Sequence, residues 1–358
     1  MVKCLKSCFF NLQDRQGGIS MQLTVSLKER SYPITIEPGI LSHLSSVLDV
    51  SRKGVLLTDS GVPPKWVDLV LGQFKNLTLV TIPQGEASKS FVMLEQVLQA
   101  MTDARLSRKD CLIALGGGVV GDLGGLSASL YMRGIDFYNL PTTLLSQLDS
   151  SVGGKTAIDL GTAKNLVGTF WQPKAVVIDP DVLSTLDARQ VNAGLMEALK
   201  MGLILDPALV DQFDAAPDLD LSSIIAKAVD LKRQVVEQDE KEGSLRRILN
   251  FGHTIGHGIE GSFEDHDYLH GECVGIGMLY FLEDPALRQR VMDIEQKLNQ
   301  PVIPALDQQK VLDLIIHDKK SQGDTISCVL VDAPGLWRIE NLSPEQIAQR
   351  LQRNPYEE

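Results

Sequence analysis

The chain has 358 residues, of which 44% are hydrophobic and 22% charged, so it is long enough for a sizeable core and two domains. Its formal net charge of −12 argues against nucleic acid or an anionic membrane as the main partner, although a locally basic pocket could still bind an anionic metabolite. No apolar run reaches the roughly 18 to 20 residues of a transmembrane helix.

The cysteines favour a reducing compartment. Only Cys4 and Cys8 lie near each other, whereas Cys111, Cys273 and Cys328 are isolated in the chain. This spacing does not suggest a disulfide framework, and we therefore expect a cytoplasmic protein.

Residues 1–20 differ in pattern from the rest of the chain. They contain basic residues and an apolar stretch that is too short for a secretory signal. The alternation of apolar and polar residues from Met21 to Leu27 predicts the first strand. We therefore expect residues 1–20 to be a disordered extension or a misassigned start, with the first domain beginning at Met21.

Between residues 21 and 180, short apolar runs alternate with helical stretches. Continuous apolar runs are typical of strands covered on both faces, and residues 90–103 have the apolar spacing of a helix. This pattern predicts an α/β domain with a largely parallel, Rossmann-like sheet. The predicted strands are 55–58, 77–82, 111–115 and 175–178.

After Pro180 the pattern becomes helical, which predicts a second, mainly α-helical domain over residues 181–358. A late strand at 325–331 has a possible partner at 336–339. The predicted helices are 188–203, 222–237, 248–260, 272–282 and 308–317.

A glycine-rich turn, residues 116–122, comes after a predicted strand and opens a predicted helix. Glycines let the backbone approach a pyrophosphate, and the free N–H groups of a helix start favour its charge. The alternative is tight packing, because the spacing matches neither the common dinucleotide motif nor a Walker loop. Asp59, just after a strand, could accept ribose hydroxyls or cap a turn.

Residues 142–156 are rich in hydroxyl groups and end in two glycines beside Lys155. Such a composition suits a site that orients a polyol or a phosphate, but it also suits an ordinary loop before a capped helix.

Glu197 and Lys200 share one face of a predicted helix that is otherwise apolar, which predicts that both charges are buried. Buried charges must bind each other, a metal or a ligand. Other charged residues of this half of the chain, taken singly, are typical of solvated surface; they are Lys232, Asp239, Glu240, Arg246, Arg247 and residues 318–320.

Three of the six histidines lie close together in the chain. His253 and His257 are four residues apart, so a helix would place both on one face, and His270 comes after a loop. A lone histidine is usually structural. Two histidines with a carboxylate and an open position, however, form a catalytic zinc pattern.

In combination and order, these segments resemble the 3-dehydroquinate synthase family, from about Met21 to about residue 345. The landmarks are residues 85–89, 116–122, 149–155, Glu197 with Lys200, 246–257 and 270–272. The resemblance implies a lyase of the shikimate pathway of aromatic amino acid biosynthesis. It also implies an NAD-binding domain, a helical metal-binding domain, an active site in the cleft and a homodimer.

Residue by residue, the resemblance implies a metal site of Glu197, His253 and His270, normally for zinc, with cobalt as an alternative. His257 would then belong to the substrate site, against the interpretation of His253 and His257 as paired ligands. The implied catalytic residues are Lys155, Lys200, His257 and Asp149. The implied NAD contacts are Asp59, Glu86, Lys89, Gly117, Gly118, Val119, Gly121, Asp122, Thr142, Thr143, Lys155 and Lys164.

The implied substrate is 3-deoxy-D-arabino-heptulosonate 7-phosphate, with its carboxylate held by Lys232 and Arg246. Its phosphate would meet Lys155, Asn165, Asn250 and one of Lys319 and Lys320, with Arg133 reaching in from a neighbouring subunit. The alternatives are another sugar-phosphate cyclase, a glycerol-type metal-dependent NAD dehydrogenase and a catalytically inactive nucleotide-binding or scaffold protein.

Overall fold

The computed structural model describes residues 13–15, 18–161, 163–263, 268–302, 306–319 and 325–356. These residues form two compact units. The first contains the described residues up to Thr142 together with Gly154–Ser184, and the second contains Thr143–Gly153 together with those from Thr185 onward. The expected division near residue 180 thus differs from the observed units in one segment, because Thr143–Gly153 packs with the second unit.

The first unit is built on an eight-stranded sheet. Its elements are β1 (Gln13–Arg15), β2 (Gly18–Val25), β3 (Tyr32–Ile36), β4 (Gly54–Asp59), α1 (Pro64–Leu71), β5 (Leu77–Ile82), α2 (Phe91–Asp103), β6 (Cys111–Gly116), α3 (Gly118–Leu130), β7 (Asp136–Pro141), β8 (Lys155–Leu160), β9 (Ala163–Phe170) and β10 (Ala175–Ile178). The sheet order is β1-β2-β3-β10-β7-β6-β4-β5. The strands from β3 to β5 in this order pair in parallel, whereas β1, β2 and β3 pair antiparallel.

Three of the predicted apolar runs, β4, β6 and β10, form strands buried on both faces, whereas β5 lies at the edge of the sheet and is largely exposed, against the prediction. Every residue of β4 and β6 is buried. Along β4, Leu56 packs into one apolar core, whereas Val55 and Leu57 pack into a second core on the opposite face. Helix α2 begins where expected, because the Ser90 hydroxyl accepts a hydrogen bond from Met93 N at 3.4 Å. The predicted α/β class and parallel sheet are confirmed.

Two parts of the first unit were not predicted. Strand β2 begins at Gly18 rather than Met21 and pairs with β1, so part of the expected extension joins the sheet. Residues 1–12, 16 and 17 lie outside the described part of the chain. Strands β8 and β9 form a separate antiparallel hairpin, and most of β9 is exposed, so it lacks the apolar pattern that identifies a strand.

The second unit is mainly helical, as predicted. Its elements are α4 (Ala188–Leu205), α5 (Pro207–Gln212), α6 (Leu221–Gln238), α7 (His253–Ser262), α8 (His270–Leu279), α9 (Pro285–Lys297), α10 (Gln308–Lys319), β11 (Ile326–Ala333), β12 (Leu336–Leu342) and α11 (Pro344–Leu351). Strands β11 and β12 pair antiparallel, which confirms the predicted late hairpin.

The single helix predicted for residues 248–260 is wrong. The chain instead forms a 3-10 segment, Leu245–Asn250, and then leaves the helical conformation at Phe251. Gly252 adopts a left-handed backbone with φ of 77°, and α7 starts directly after it. This glycine conformation ends one helix and begins another, so His253 is the first residue of α7.

The cysteines within the described residues, Cys111, Cys273 and Cys328, are buried free thiols. Cys4 and Cys8 lie outside the described part. Among the described helices, none has the length and apolarity needed to cross a membrane.

Candidate active site

In the first unit, the proposed cofactor residues lie just after neighbouring parallel strands. Asp59 ends β4, Gly117 comes after β6 and Thr142 after β7, and these strands are adjacent in the sheet. The chain continues from β4 to β5 on one side and returns to β6 on the other side of β4, so the strand order reverses between β4 and β6. Ligands of open parallel sheets bind at such a reversal, outside the carboxyl ends of the strands.

The glycine turn combines close packing with an accessible helix start. A Cβ atom on Gly116 would lie 2.5 Å from Val120 Cγ2, and one on Gly121 would lie 3.2 Å from Asn139 Nδ2. Tight packing, the alternative interpretation, therefore explains these two glycines. Gly117 and Gly118 are only partly buried at the first turn of α3, where backbone N–H groups favour an anion.

The Asp59 carboxylate takes part in a turn. Its Oδ1 accepts a hydrogen bond from Gly61 N at 2.7 Å. Burial raises the pKa of Asp59, whereas the backbone N–H groups of Gly61 and Val62 lower it. The turn role considered from the sequence is thus observed, and a contact with ribose stays a prediction.

Lys89 is the centre of a buried polar network in the first unit. Its Nζ lies 2.9 Å from Asp122 Oδ2 and 3.4 Å from Glu86 Oε1, and it also contacts Asn165 Oδ1. Burial opposes the charge, but Asp122 and Glu86 raise the pKa of Lys89 above its usual value. Asp159 Oδ1 accepts a hydrogen bond from Asn165 N at 2.7 Å. The structure thus brings three predicted cofactor residues together with one predicted phosphate residue.

Three further basic residues predicted for the site are exposed. Lys155 begins β8 and Lys164 lies in β9. Arg133 lies just after α3 in a turn with a positive φ of 68°. Exposure leaves all three able to meet a ligand, and their roles remain predictions.

In the second unit, Glu197 Oε1 faces two imidazoles. Among the described residues it has no hydrogen-bond partner, although it is buried. It lies 3.6 Å from His253 Nε2 and 3.5 Å from His270 Nε2. Donor atoms bound at about 2.0 to 2.2 Å in a tetrahedral site are separated by about 3.4 Å. The separations of Glu197 Oε1 from the two imidazole nitrogens are therefore compatible with a single divalent metal ion, the ligand set that the resemblance implies.

Charges around the trio of Glu197, His253 and His270 favour the ionised form of the Glu197 carboxylate. Burial opposes ionisation of Glu197, but the Lys200 ammonium, with His253 and His270, holds the pKa of the carboxyl well below its usual range. Burial and Lys200 hold the pKa of His253 well below its usual value, which leaves a neutral imidazole suited to a metal. Lys200 Nζ contacts Glu197 Oε2, and both side chains are buried as predicted.

His270 differs from His253 in its second partner. Burial lowers the pKa of His270, but the neighbouring carboxylates of Glu197 and Glu260 raise it to about 10. A proton on His270 must therefore leave before a metal ion binds.

His257 is close to the other two histidines but more exposed. Its ring centroid lies 5.2 Å from that of His253 and 5.6 Å from that of His270. One nitrogen from each of the three rings can be chosen so that all lie within 4.8 Å of one another. The Glu197 set has shorter separations, at 3.6 and 3.5 Å, and a buried anion. Geometry thus favours the carboxylate set, with His257 beside it.

Lys232 and Arg246 are buried, so their interpretation as surface charges is wrong. Apolar residues of α6 and of the 3-10 segment surround them and carry them inward. Lys232 Nζ lies 2.8 Å from Asp149 Oδ1 and also contacts Asp149 O. Burial lowers the pKa of Lys232 to about 8, although Asp149 raises it. Burial raises the pKa of Asp149, but Lys232 and Lys200 bring it below its usual value.

Arg246 is held by backbone oxygens. Its guanidinium donates to Gly153 O at 3.1 Å and to Glu240 O at 2.6 Å. Gly153 has a φ of 102°, and a Cβ atom there would lie 2.4 Å from Arg246 Nη2. Only glycine therefore allows the guanidinium to approach so closely.

The remaining predicted residues of the second unit are peripheral. Asn250 is exposed and donates to Glu242 Oε1 at 3.0 Å. The Thr143 hydroxyl donates to Ser146 Oγ at 2.9 Å. The side chain of Lys319 and the whole of Lys320 lie outside the described part of the chain.

The chain matches the family models of the 3-dehydroquinate synthase N-terminal region over residues 79–193 and of the C-terminal region over residues 194–321. The chain belongs to the 3-dehydroquinate synthase family. The 3-dehydroquinate synthase of Clostridium kluyveri is 37% identical over 91% of this chain and 96% of its own length. The 3-dehydroquinate synthase of Bordetella pertussis is 41% identical over 88% and 94%, respectively. The resemblance drawn from the motifs is therefore confirmed.

A solved structure supports the same fold. The 2-epi-5-epi-valiolone synthase of Streptomyces hygroscopicus subsp. jinggangensis 5008, with NAD+ and Zn2+ bound, superposes with a TM-score of 0.82. It is 27% identical, and the match covers 91% of this chain and 97% of that chain. The fold seen in this member of the 3-dehydroquinate synthase family is thus shared with another cyclase.

Two carboxylates near the candidate metal ligands were given no role from the sequence. Glu260 Oε2 lies 3.0 Å from His270 Nδ1. The Glu272 carboxylate receives two hydrogen bonds from Arg189, at 2.6 and 2.8 Å, and is buried. Glu260 lies seven residues after His253, which is close to two helical turns, so this spacing could have placed it on the same face of α7.

Proposed function

We propose that the protein is a 3-dehydroquinate synthase that converts 3-deoxy-D-arabino-heptulosonate 7-phosphate to 3-dehydroquinate and phosphate. The family membership supports the reaction class. The single observation that carries the proposal is the convergence of Glu197 Oε1 with His253 Nε2 and His270 Nε2. Buried cations beside Asp149 in the same unit suit a substrate that bears a carboxylate.

The proposed cofactors are NAD and one divalent metal, zinc by preference and cobalt as the alternative. A related cyclase structure contains NAD+ and Zn2+, which supports this choice. When bound, NAD supplies reversible oxidation of the substrate within one cycle, and the metal supplies Lewis-acid polarisation of the reacting hydroxyl. Glu197, His253 and His270 would hold the metal, and Asp59, Lys89 and the start of α3 would hold NAD.

Lys232 and Arg246 are proposed to bind the substrate carboxylate. A carboxylate pairs well with a guanidinium and an ammonium, because charge-assisted hydrogen bonds are about twice as strong as neutral ones. Asp149 keeps Lys232 in place and partly charged before substrate binds. A cyclase whose substrate lacks a carboxylate would not need this buried cationic pair.

The phosphate of the substrate is proposed to meet exposed polar side chains. Lys155, Asn165 and Asn250 are accessible in the described structure, and one of Lys319 and Lys320 would complete the set. Arg133 would be donated by a second copy of the chain, which makes a homodimer part of the proposal. The exposed position of Arg133 on a turn supports this assignment.

Three residues are proposed to act in catalysis beside the metal trio. Lys200 Nζ holds Glu197 Oε2 and thereby directs Oε1 toward the imidazoles. His257 would transfer a proton at a ring nitrogen to or from the substrate, because its imidazole is exposed next to His253 and His270. Lys155 would contact both the phosphate and the reacting hydroxyl.

The test measures phosphate release and product mass together, with purified protein, the heptulosonate phosphate, zinc and substoichiometric NAD. A synthase will complete many turnovers per NAD, and free NADH will not accumulate. Stoichiometric NADH with phosphate retained on the substrate would identify a dehydrogenase. Turnover of a sugar phosphate without a carboxylate, in preference to the heptulosonate, would identify another cyclase.

A cytoplasmic location is also proposed. The free buried thiols of Cys111, Cys273 and Cys328 are typical of a reducing compartment.

A further inference from the structure

The imidazole of His270 is held at both ring nitrogens. Its Nε2 lies 3.5 Å from Glu197 Oε1, and its Nδ1 lies 3.0 Å from Glu260 Oε2. The Glu260 carboxylate accepts the Nδ1–H, so in the neutral ring that binds a metal the remaining proton stays on Nδ1 and Nε2 has the free lone pair. The ring therefore presents one defined nitrogen to the centre of the trio.

The two candidate ligand histidines are oriented by different partners. His253 Nδ1 lies 3.1 Å from the backbone oxygen of Phe251, the residue two positions before it. His270 uses the side chain of Glu260, which lies on another helix. A backbone partner so near in the chain cannot be removed by substitution, whereas the Glu260 contact can.

The fold places Glu260 close to His270, because α7 and α8 approach closely. A Cβ atom on Gly277 would lie 2.1 Å from Gly252 O, and one on Gly256 would lie 2.9 Å from Cys273 O. Glycine at these positions lets the two backbones come together. Helix α7 thus carries one candidate ligand, His253, near its start and the partner of the other ligand near its end.

The backbone of His270 is fixed separately. Glu272 Oε2 accepts a hydrogen bond from Leu269 N at 2.8 Å, and the same carboxylate binds the Arg189 guanidinium. These contacts hold the first turn of α8. They do not set the rotation of the His270 ring, which is the property that the Glu260 contact controls.

We propose that Glu260 is a positioning residue, which fixes the His270 ring and its tautomer for the divalent metal. The proposal rests on the proposed function, since it takes Glu197, His253 and His270 as the ligands. A carboxylate behind a metal-bound imidazole also makes the nitrogen a better donor, and loss of such a partner typically weakens metal binding about 10- to 100-fold. We expect a loss of about this size for Glu260→Gln and a larger loss for Glu260→Ala.

The experiment measures metal binding rather than turnover. Metal-free full-length protein is titrated with Zn2+ in competition with a chromophoric chelator, and with Co2+ while the visible absorption spectrum is recorded. Glu95→Gln, an exposed substitution of the same chemistry on α2, is the matched control and should bind like the wild type. Thermal unfolding of each metal-free variant detects any general loss of structure.

The outcomes separate this proposal from the proposed ligand set. If the wild type binds no metal, or His270→Ala binds it normally, the ligand set is wrong and the role of Glu260 is overturned with it. If His270→Ala loses the metal but Glu260→Gln matches the wild type in affinity and Co2+ spectrum, only the positioning role is overturned. Weaker affinity with an altered Co2+ spectrum, at unchanged metal-free stability, supports it.

Discussion

Glu197 and Lys200 show at the scale of single residues how charge is kept inside an apolar helix. Both side chains are buried in α4, and each has the other as a partner. Taking an ion out of water costs several kcal/mol unless a partner offsets it. The ammonium occupies Oε2, so the opposite oxygen is left for the imidazoles. One carboxylate thereby links the ion pair with Lys200 to the two candidate ligand histidines.

Lys232 gives a prediction for the pH dependence of substrate binding. Burial lowers its pKa to about 8, Asp149 opposes that shift, and Arg246 and Lys200 add to it. The ammonium is therefore lost as the pH rises through about 8, and a carboxylate substrate loses a partner. We expect kcat/KM to fall about tenfold per pH unit above that point.

The matched variant for this prediction is Lys232→Arg, because a guanidinium stays protonated throughout this range. Its pH profile should lack the inflection near pH 8 expected from the Lys232 ammonium, even if its maximum is lower. The measurement is kcat/KM as a function of pH for both proteins. An unchanged inflection in Lys232→Arg would assign the titration to another group.

At the scale of elements, Gly153 joins the segment Thr143–Gly153 to the Arg246 guanidinium. We predict that Gly153→Ala raises KM for the heptulosonate phosphate at least tenfold, because the new Cβ atom would lie 2.4 Å from Arg246 Nη2. A shift of that size corresponds to about 1.4 kcal/mol. Steady-state kinetics and urea unfolding are measured on the same preparation.

Gly39→Ala is the control, because Gly39 has a φ of 76° but the nearest atom to its new Cβ would be 3.8 Å away. Both substitutions strain a left-handed backbone, by about 1 kcal/mol or more. Only Gly153→Ala should change KM. Equal effects of the two on KM would mean that backbone strain, rather than displacement of Arg246, is responsible.

Helix α9 contains a buried acid, Glu295, whose Oε1 has no hydrogen-bond partner among the described residues. Burial raises the pKa of Glu295 to about 8, and Tyr356 and Gly275 are its neighbours. The folded protein therefore holds a proton that the unfolded chain releases at its ordinary pKa, near 4.5. The resulting stability is complete below pH 4.5 and is lost as the pH rises through about 8.

We predict that Glu295→Gln removes this pH dependence, because an amide cannot ionise. Compared with the wild type, the variant should gain free energy of unfolding as the pH is raised from about 5 to 8.5. Urea unfolding at the two pH values gives the comparison. Asp293→Asn, an exposed acid on the same helix, should behave like the wild type. A parallel pH response in Glu295→Gln would show that Glu295 is ionised in the folded protein.

The elements also show what can be predicted from the sequence. The bounds of β10 match the predicted run because an unbroken apolar segment indicates both the type and the length of a strand, and β5 matches its predicted bounds although it contains two threonines and is largely exposed. The break at Gly252 was missed, because a glycine in a helical pattern does not reveal a left-handed φ. Helix α9 was missed as well: its apolar residues are few, and its burial depends on partners that are distant in sequence.

In the candidate site, the burial of some charged residues could be predicted from the sequence and that of others could not. The burial of Glu197 and Lys200 is expected from their apolar neighbours, and the structure confirms it. The burial of Lys232 and Arg246 is not expected from local sequence, since a second basic residue directly follows each of them. It depends on Asp149 and on Gly153 O, which are far away along the chain. Contacts between segments that are distant in the chain cannot be predicted from the local sequence pattern.

At the scale of the whole molecule, the chain passes between its two units more than once. Segment Thr143–Gly153 belongs to the second unit, although residues of the first unit precede and follow it. Leu144, Leu148 and Val152 of this segment are fully buried, and a Cβ atom on Gly194 of α4 would lie 3.0 Å from Leu144 Cβ. The first unit alone therefore cannot bury these side chains in the same way.

We predict that a fragment ending at Ser184 exposes these apolar side chains and binds a hydrophobic dye such as anilinonaphthalene sulfonate. A second fragment, in which a glycine-serine linker replaces Thr143–Gly153, should bind much less dye. The comparison uses dye fluorescence together with hydrogen exchange of the sheet amides. Equal dye binding by the two fragments would show that the segment is not what the truncation exposes.

The passage of the chain from one unit to the other and back has a consequence for synthesis on the ribosome. Thr143–Gly153 leaves the exit tunnel before α4 and α6, which come later in the chain and pack against it. Translation at about 5 to 20 residues per second leaves the segment without its partners for several seconds. During that interval the apolar side chains of Leu144 and Leu148 are accessible to a ribosome-associated chaperone. The first segment of the second unit is thus synthesised before Gly154–Ser184, the last segment of the first unit.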